Sequence, residues 1–200
     1  IGEENRRRKR FEDMDKEYEF EIVFGYETDS YDLMGMITSS NLLDQPGKLR
    51  ALLPAAMKPL IGTWHQPYPP YSSATVLGKP LYWWTRQGRL GEVSIPTKEI
   101  TVSELEVIGW RDSDIGDVAR EAIKRIENVH GDFRQDEIIA QWQTVAKLQT
   151  NVKVSLATCR VVCSSGTYVR GLAHTLGRAL KTHALAYSIK RTRIGEYRLG

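Results

Sequence analysis

The stretch CSSGTYVRGLAHTLGRAL, residues 163–180, narrows the fold most: a strand end, a tight turn, then an amphipathic helix. Before it, Val152, Val154 and Leu156 alternate with Lys153 and Ser155, the period of a strand with one buried face. Gly166 interrupts the strand, and Ser165 or Thr167 can cap the free N–H groups of the helix. Val169, Leu172, Ala173, Leu176, Ala179 and Leu180 then recur at helical spacing. Arg170 falls in the first helical turn, at the positive end of the helix dipole, where a cation is mildly disfavoured. An anionic partner is therefore expected for it; the plainer alternative is a surface arginine on an ordinary strand–helix unit.

The rest of the chain mixes strands and helices irregularly. Tyr18, Phe20, Ile22 and Phe24 alternate with Glu17, Glu19, Glu21 and Val23, which predicts a strand that runs into a loop over 25–32 rich in turn formers. A short strand is expected at 34–37 and a helix over 47–60, entered after Pro46 and disturbed by Pro54. The prolines of QPYPPYSS, from residue 66, hold that segment extended, and 81–87 reads as a short helix stopped by Gly88. Residues 100–110 read as another strand. Over 112–150 the stripe Ile115, Val118, Ala122, Ile126, Val129 and the stripe Ile138, Ile139, Trp142, Val145 predict a helical hairpin, an insertion between two strands. Arg120, Lys124 and Arg125 could widen a contact surface there, but the expected role is filling. Such an order indicates an α+β fold with a mixed, largely antiparallel sheet flanked by helices.

A formal charge of +3 on 200 residues leaves no global field to attract nucleic acid, so any such affinity must come from local patches. Two basic clusters qualify, at 6–10 and at Lys190, Arg191 and Arg193; either can also be a solvated face. Cys159 and Cys163, four apart on one strand face, are expected as small core residues, and the four histidines have no metal-ligand spacing. No segment has the length of a membrane span, so a reducing, cytoplasmic setting is expected. A chain that enters on Ile1 in the middle of charged sequence is expected to be the interior of a longer protein.

Three separated segments, DKEYEFEIVFGYETDSYDLMG (15–35), QPYPPYSSATVLGKPLYWWTRQG (66–88) and CSSGTYVRGLAHTLG (163–177), resemble in order and spacing the TruB family of tRNA pseudouridine synthases. The first is similar to the family's Lys-x-Tyr strand and acidic loop. The second is similar to its Gln-x-Pro-Pro-x-Tyr-Ser-Ala segment, and the third to its Cys-Ser-x-Gly-Thr-Tyr-x-Arg-x-Leu. The resemblance implies the pseudouridine synthase fold over residues 1–200, with an N-terminal part of the domain missing. It also implies a monomer that isomerises uridine 55 in the T-loop of tRNA without cofactor or metal. An enzyme acting on a base must extrude it from the stack and grip the surrounding backbone.

Carried over by position, Tyr18 would stack on the flipped uracil and assist proton removal, although taken alone it reads as a core aromatic sharing a face with Phe20 and Ile22. Arg170 would pair with the catalytic carboxylate. Asp32 would hold Arg170 or Tyr18; its bland alternative is a turn cap. Tyr168, Gln66, Tyr71, Lys190 and Arg191 would meet the substrate. Two departures stand out. Where the family has Tyr-Ser-Ala-x-Lys, this chain has Tyr71 to Thr75 and no lysine. No aspartate of the sequence sits in the family's nucleophile-bearing Gly-x-Leu-Asp segment, which is expected upstream of Ile1. The 200 residues alone are therefore expected to be inactive, and a catalytically silent tRNA-binding or folding protein is the alternative reading.

Overall fold

The computed structural model describes residues 11–41, 46–149 and 151–198, so the basic cluster at 6–10 lies outside the described residues. Its framework is a six-stranded antiparallel sheet in the order β10-β9-β1-β8-β7-β4. At its centre lies β1 (Lys16–Phe24), between β8 (Lys153–Cys163) and β9 (Ala184–Ile194). Beyond β8 come β7 (Thr97–Asp114) and the edge strand β4 (Gly62–Pro67); beyond β9 lies the two-residue β10 (Tyr197–Arg198). Two small ribbons complete the strands, β2 (Tyr26–Thr28) with β3 (Ile37–Ser40) and β5 (Thr75–Val76) with β6 (Lys79–Pro80); the loop of the first carries Ser30 and Asp32 to the site. The architecture is α+β, as the irregular order of strands and helices indicated.

The alternation of β1 distributes its residues between two cores. Phe20, Ile22 and Phe24 face one core with Cys159, Val161 and Cys163 of β8, under α1 (Pro46–Met57) and α5 (Val169–Ala179). Both thiols are buried there as free cysteines, and burial pushes them up to about 12 for Cys159 and about 11 for Cys163. Val23, with Val154, Leu156, Leu185 and Tyr187, faces the opposite core. That side is covered by the hairpin of α3 (Ile115–Glu127) and α4 (Gln135–Leu148), whose Ile115, Val118, Ala122, Ile126, Ile138 and Trp142 are fully buried. The hairpin thus covers sheet surface that would otherwise expose several aliphatic side chains, each worth roughly 1.5–3 kcal/mol when buried. Of its cations, Arg120 pairs with Asp117, and Arg125 pairs with Glu121 and lies over the Tyr187 ring.

Three expectations change. The strand expected at 34–37 begins only at Ile37 and pairs with β2, because side chains divert the backbone before it: Asp29 accepts the Met36 N–H and Asp32 the Met34 N–H. β7 extends at both ends of the expected 100–110. Past Trp110 its backbone ladder with β8 continues to Asp114, and its side chains form ion pairs instead of apolar alternation: Arg111 to Glu21, Asp112 to Arg50, Asp114 to Lys153. Neither Ser165 nor Thr167 caps α5; Tyr168 occupies the cap position with no side-chain cap bond, and the Thr167 hydroxyl donates to the Ser164 carbonyl.

Candidate active site

Gly166, at φ 84°, turns the chain out of β8 and lets α2 (Leu81–Arg86), β4 and the loop after β2 converge on the start of α5. The Arg170 guanidinium is the knot. Nη1 donates to the Ser30 carbonyl at 3.1 Å and to Asp32 Oδ2 at 3.2 Å, and Nη2 donates to the Tyr71 carbonyl. One side chain therefore ties together segments 15–35, 66–88 and 163–177. Asp32 is itself fixed, since its Oδ1 accepts from the Ser30 hydroxyl at 2.6 Å and from the Met34 N–H at 3.0 Å. The loop bearing it docks on β9, where the Ala186 N–H donates to the Tyr31 carbonyl and the Leu33 N–H to the Ala186 carbonyl. The cation at the helix start thus has the anion that its dipole position calls for.

Beneath the helix start lies Gln66, 3% exposed. Its amide oxygen accepts the Tyr168 N–H at 2.8 Å and its amide nitrogen donates to the Tyr168 carbonyl at 3.0 Å. Both functional ends are engaged with backbone, so Gln66 sits under Tyr168 and not in an open cleft. Gly171 makes room for it: a Cβ there would come within 2.9 Å of the amide nitrogen.

Five of the residues singled out from sequence line two cavities. Asp32, Tyr71 and Arg170 line one of about 460 Å³. Tyr18 and Tyr168 line another of about 380 Å³, together with Lys16, Tyr68, Lys98 and Gly166. The two meet through Arg170, whose guanidinium carbon is 5.6 Å from the Tyr168 ring centre. Arg191 is the register partner of Tyr18 across β1 and β9, so the two share a face; Lys190 pairs with Glu19 and points from the opposite face. Sequence reasoning grouped Lys190 with Arg191, and the strand alternation separates them.

Burial pushes the Tyr18 phenol above its ordinary value, and the Arg191 guanidinium beside it opposes the shift. Tyr168 is raised by burial against the pull of Arg170. Both phenols are therefore protonated donors at neutral pH. Lys16 is lowered by burial and then by Arg191; its ammonium donates to the Glu12 carbonyl at 2.7 Å. With Lys98 it puts two ammonium groups beside three phenols, a setting suited to an anion lying along a planar ring. Lys16 and Lys98 were not singled out from sequence. The Lys-x-Tyr spacing of β1, which places positions 16 and 18 on one face, was the available signal for Lys16.

A family profile described as TruB family pseudouridylate synthase (N terminal domain) matches residues 1–131. The chain belongs to that family. Among curated relatives, the tRNA pseudouridine synthase B of Bordetella pertussis is 29% identical over 185 residues, covering 92% of this chain and 58% of the relative. That of Geobacillus thermodenitrificans is 31% identical over 184 residues, covering 92% and 48%. The chain thus spans about half the length of the curated relatives it matches. A crystal structure of a Cbf5-Nop10-Gar1 complex aligns over 93% of this chain and 33% of its own, at 16% identity and a TM-score of 0.43. Among the described residues, no helix is long and apolar enough to cross a membrane.

Proposed function

We propose that this chain forms part of a tRNA pseudouridine synthase that isomerises a uridine of the T-loop, uridine 55 in the family to which it belongs. The observation that carries this reading is the convergence at Arg170 of the three segments that resemble the family. A guanidinium held by Ser30, Asp32 and Tyr71 is already oriented, so little freedom is lost when it meets a further carboxylate. In the proposed reaction the glycosidic bond from N1 of the flipped uridine to the ribose breaks, the uracil turns, and a bond forms from its C5 to the ribose while the C5 proton leaves and N1 takes up a proton. Tyr18 offers its ring as a stacking face for the base and its phenolic oxygen as the relay for that proton. Lys16, Lys98 and Arg191 hold the flanking phosphate. Asp32 keeps Arg170 in place, and Gln66 acts as a positioning residue through the Tyr168 backbone, not as a substrate contact.

The attacking carboxylate is assigned to a Gly-x-Leu-Asp segment, which these 200 residues do not contain, so the chain alone is proposed to bind RNA without turning it over. The test is tritium release from tRNA labelled at C5 of uridine, with the full-length gene product as enzyme. One equivalent released per tRNA, abolished when the T-loop target is replaced by cytidine, supports the reading. Tight tRNA binding with no release refutes it in favour of a silent RNA-binding protein.

A further inference from the structure

The larger cavity is walled on one side by the Arg170 cluster and on the other by the turn between α3 and α4, a wall for which the proposed chemistry has no use. Phe133 lies on that turn, 50% exposed, and Tyr82 of α2, 46% exposed, stands on the same cavity. Two exposed aromatic rings on one cavity make an apolar rim of the kind that marks a binding groove.

Side-chain bonds hold the backbone of the turn that carries Phe133. The Gln135 side chain accepts the Phe133 N–H at 2.8 Å and donates to the carbonyls of Val129 and Gly131. The ring lies so close over Gly131 that a Cβ there would come within 2.6 Å of it. Arg86 reaches across from α2 and donates to the Asp132 carbonyl at 3.2 Å. Arg134 fastens the turn to the site loop through both oxygens of Asp29, at 2.8 and 3.2 Å, and lies over the Tyr71 ring at 4.5 Å. Arg134 and Arg170 thus have carboxylate partners; among the described residues Arg86 has none within ion-pair distance.

We propose that this cavity is a second nucleotide subsite, in which an unpaired base of the RNA stacks on Phe133 while Arg86 contacts its phosphate. The inference rests on the RNA-modifying function proposed above and adds a binding element supplied by the α3–α4 hairpin. An exposed ring on a bonded turn, beside a guanidinium with no ion-pair partner among the described residues, offers a stacking face and a phosphate contact to a single-stranded base. The volume of about 460 Å³ is of the size that takes a small-molecule ligand.

Fluorescence anisotropy with a T stem-loop RNA and the full chain tests this, with Phe133→Ala, Phe133→Trp and Arg86→Ala. Phe133→Ala is expected to weaken binding roughly 5- to 100-fold without altering the slope of log K against log salt. Phe133→Trp is expected to retain wild-type affinity within about twofold. Arg86→Ala should weaken binding and flatten the salt slope by about 0.7, one phosphate contact. Wild-type affinity in Phe133→Ala, or an equal loss in Phe133→Trp, overturns the subsite and leaves the proposed function standing. If wild-type protein does not bind the RNA, the function reading fails and the subsite fails with it.

Discussion

Replacing Gln66 by leucine keeps the side-chain volume and removes both hydrogen bonds to Tyr168. The Tyr168 carbonyl retains the Leu172 N–H as a partner, at 3.2 Å, but the Tyr168 N–H loses the acceptor that it has in Gln66. One net hydrogen bond at roughly 1 kcal/mol, plus roughly 1–3 kcal/mol for the Tyr168 N–H left without its acceptor, gives an expected loss of about 2–4 kcal/mol. Urea unfolding at constant m-value reads this directly. Gln66→Glu sharpens the test. A carboxylate there still accepts the Tyr168 N–H but confronts the Tyr168 carbonyl with a second acceptor, and only its protonated form can donate. The Glu variant should therefore recover stability relative to wild type as pH falls. RNA affinity should drop in both variants, because Tyr168 itself lines the cavity with Tyr18, Lys16 and Lys98. A Leu variant within about 0.5 kcal/mol of wild type, with a Glu variant indifferent to pH, would refute the clamp.

Other outcomes follow from the same geometry. Tyr18→Phe should keep RNA affinity, since the ring remains, while slowing turnover; unchanged turnover would exclude the phenolic relay. His174 stacks on Tyr31 with ring centres 3.8 Å apart, and burial lowers its pKa against the pull of Glu27, 3.3 Å away. The fold therefore favours the neutral ring. Its stability is present above the ordinary imidazole value and is lost as pH falls through the lowered one. Urea midpoints should fall between pH 7 and 5, and less steeply in His174→Gln. Cys159 and Cys163 should resist alkylation in the native protein at pH 8 and react once urea unfolds it; rapid native labelling would contradict their burial.

Much of the fold is legible in the sequence because period alone decides it. The alternation of Tyr18, Phe20, Ile22 and Phe24 requires a strand with one apolar face, and the stripes of α3 and α4 require helices that cover something. Regularity fails as a guide where charge replaces it. Past Trp110, β7 continues on its ladder with β8 while Arg111, Asp112 and Asp114 form ion pairs with distant residues, which no local window contains. The site divides in the same way. Arg170 could be singled out by its odd place at a helix start, and Asp32 only by its match to an acidic position of the family. The place of Gln66 beneath Tyr168 could not, because a buried amide announces nothing until its 102-residue-distant partner is known. Arg134 was equally silent. It takes a left-handed backbone, φ 65°, at the start of α4, and its value lies wholly in Asp29 and Tyr71 across the cavity. The hairpin expected only to fill the fold does cover a sheet face, and it also walls the cavity that holds Arg170.

The most direct test of the account is single-turnover tritium release by Arg170→Ala, measured beside its RNA affinity in the full-length gene product. The account predicts loss of release by several orders of magnitude with binding weakened no more than about tenfold, since the guanidinium faces its own protein and not the RNA backbone. Normal release at saturating RNA, with the whole loss in affinity, would make Arg170 a binding residue and contradict the central claim.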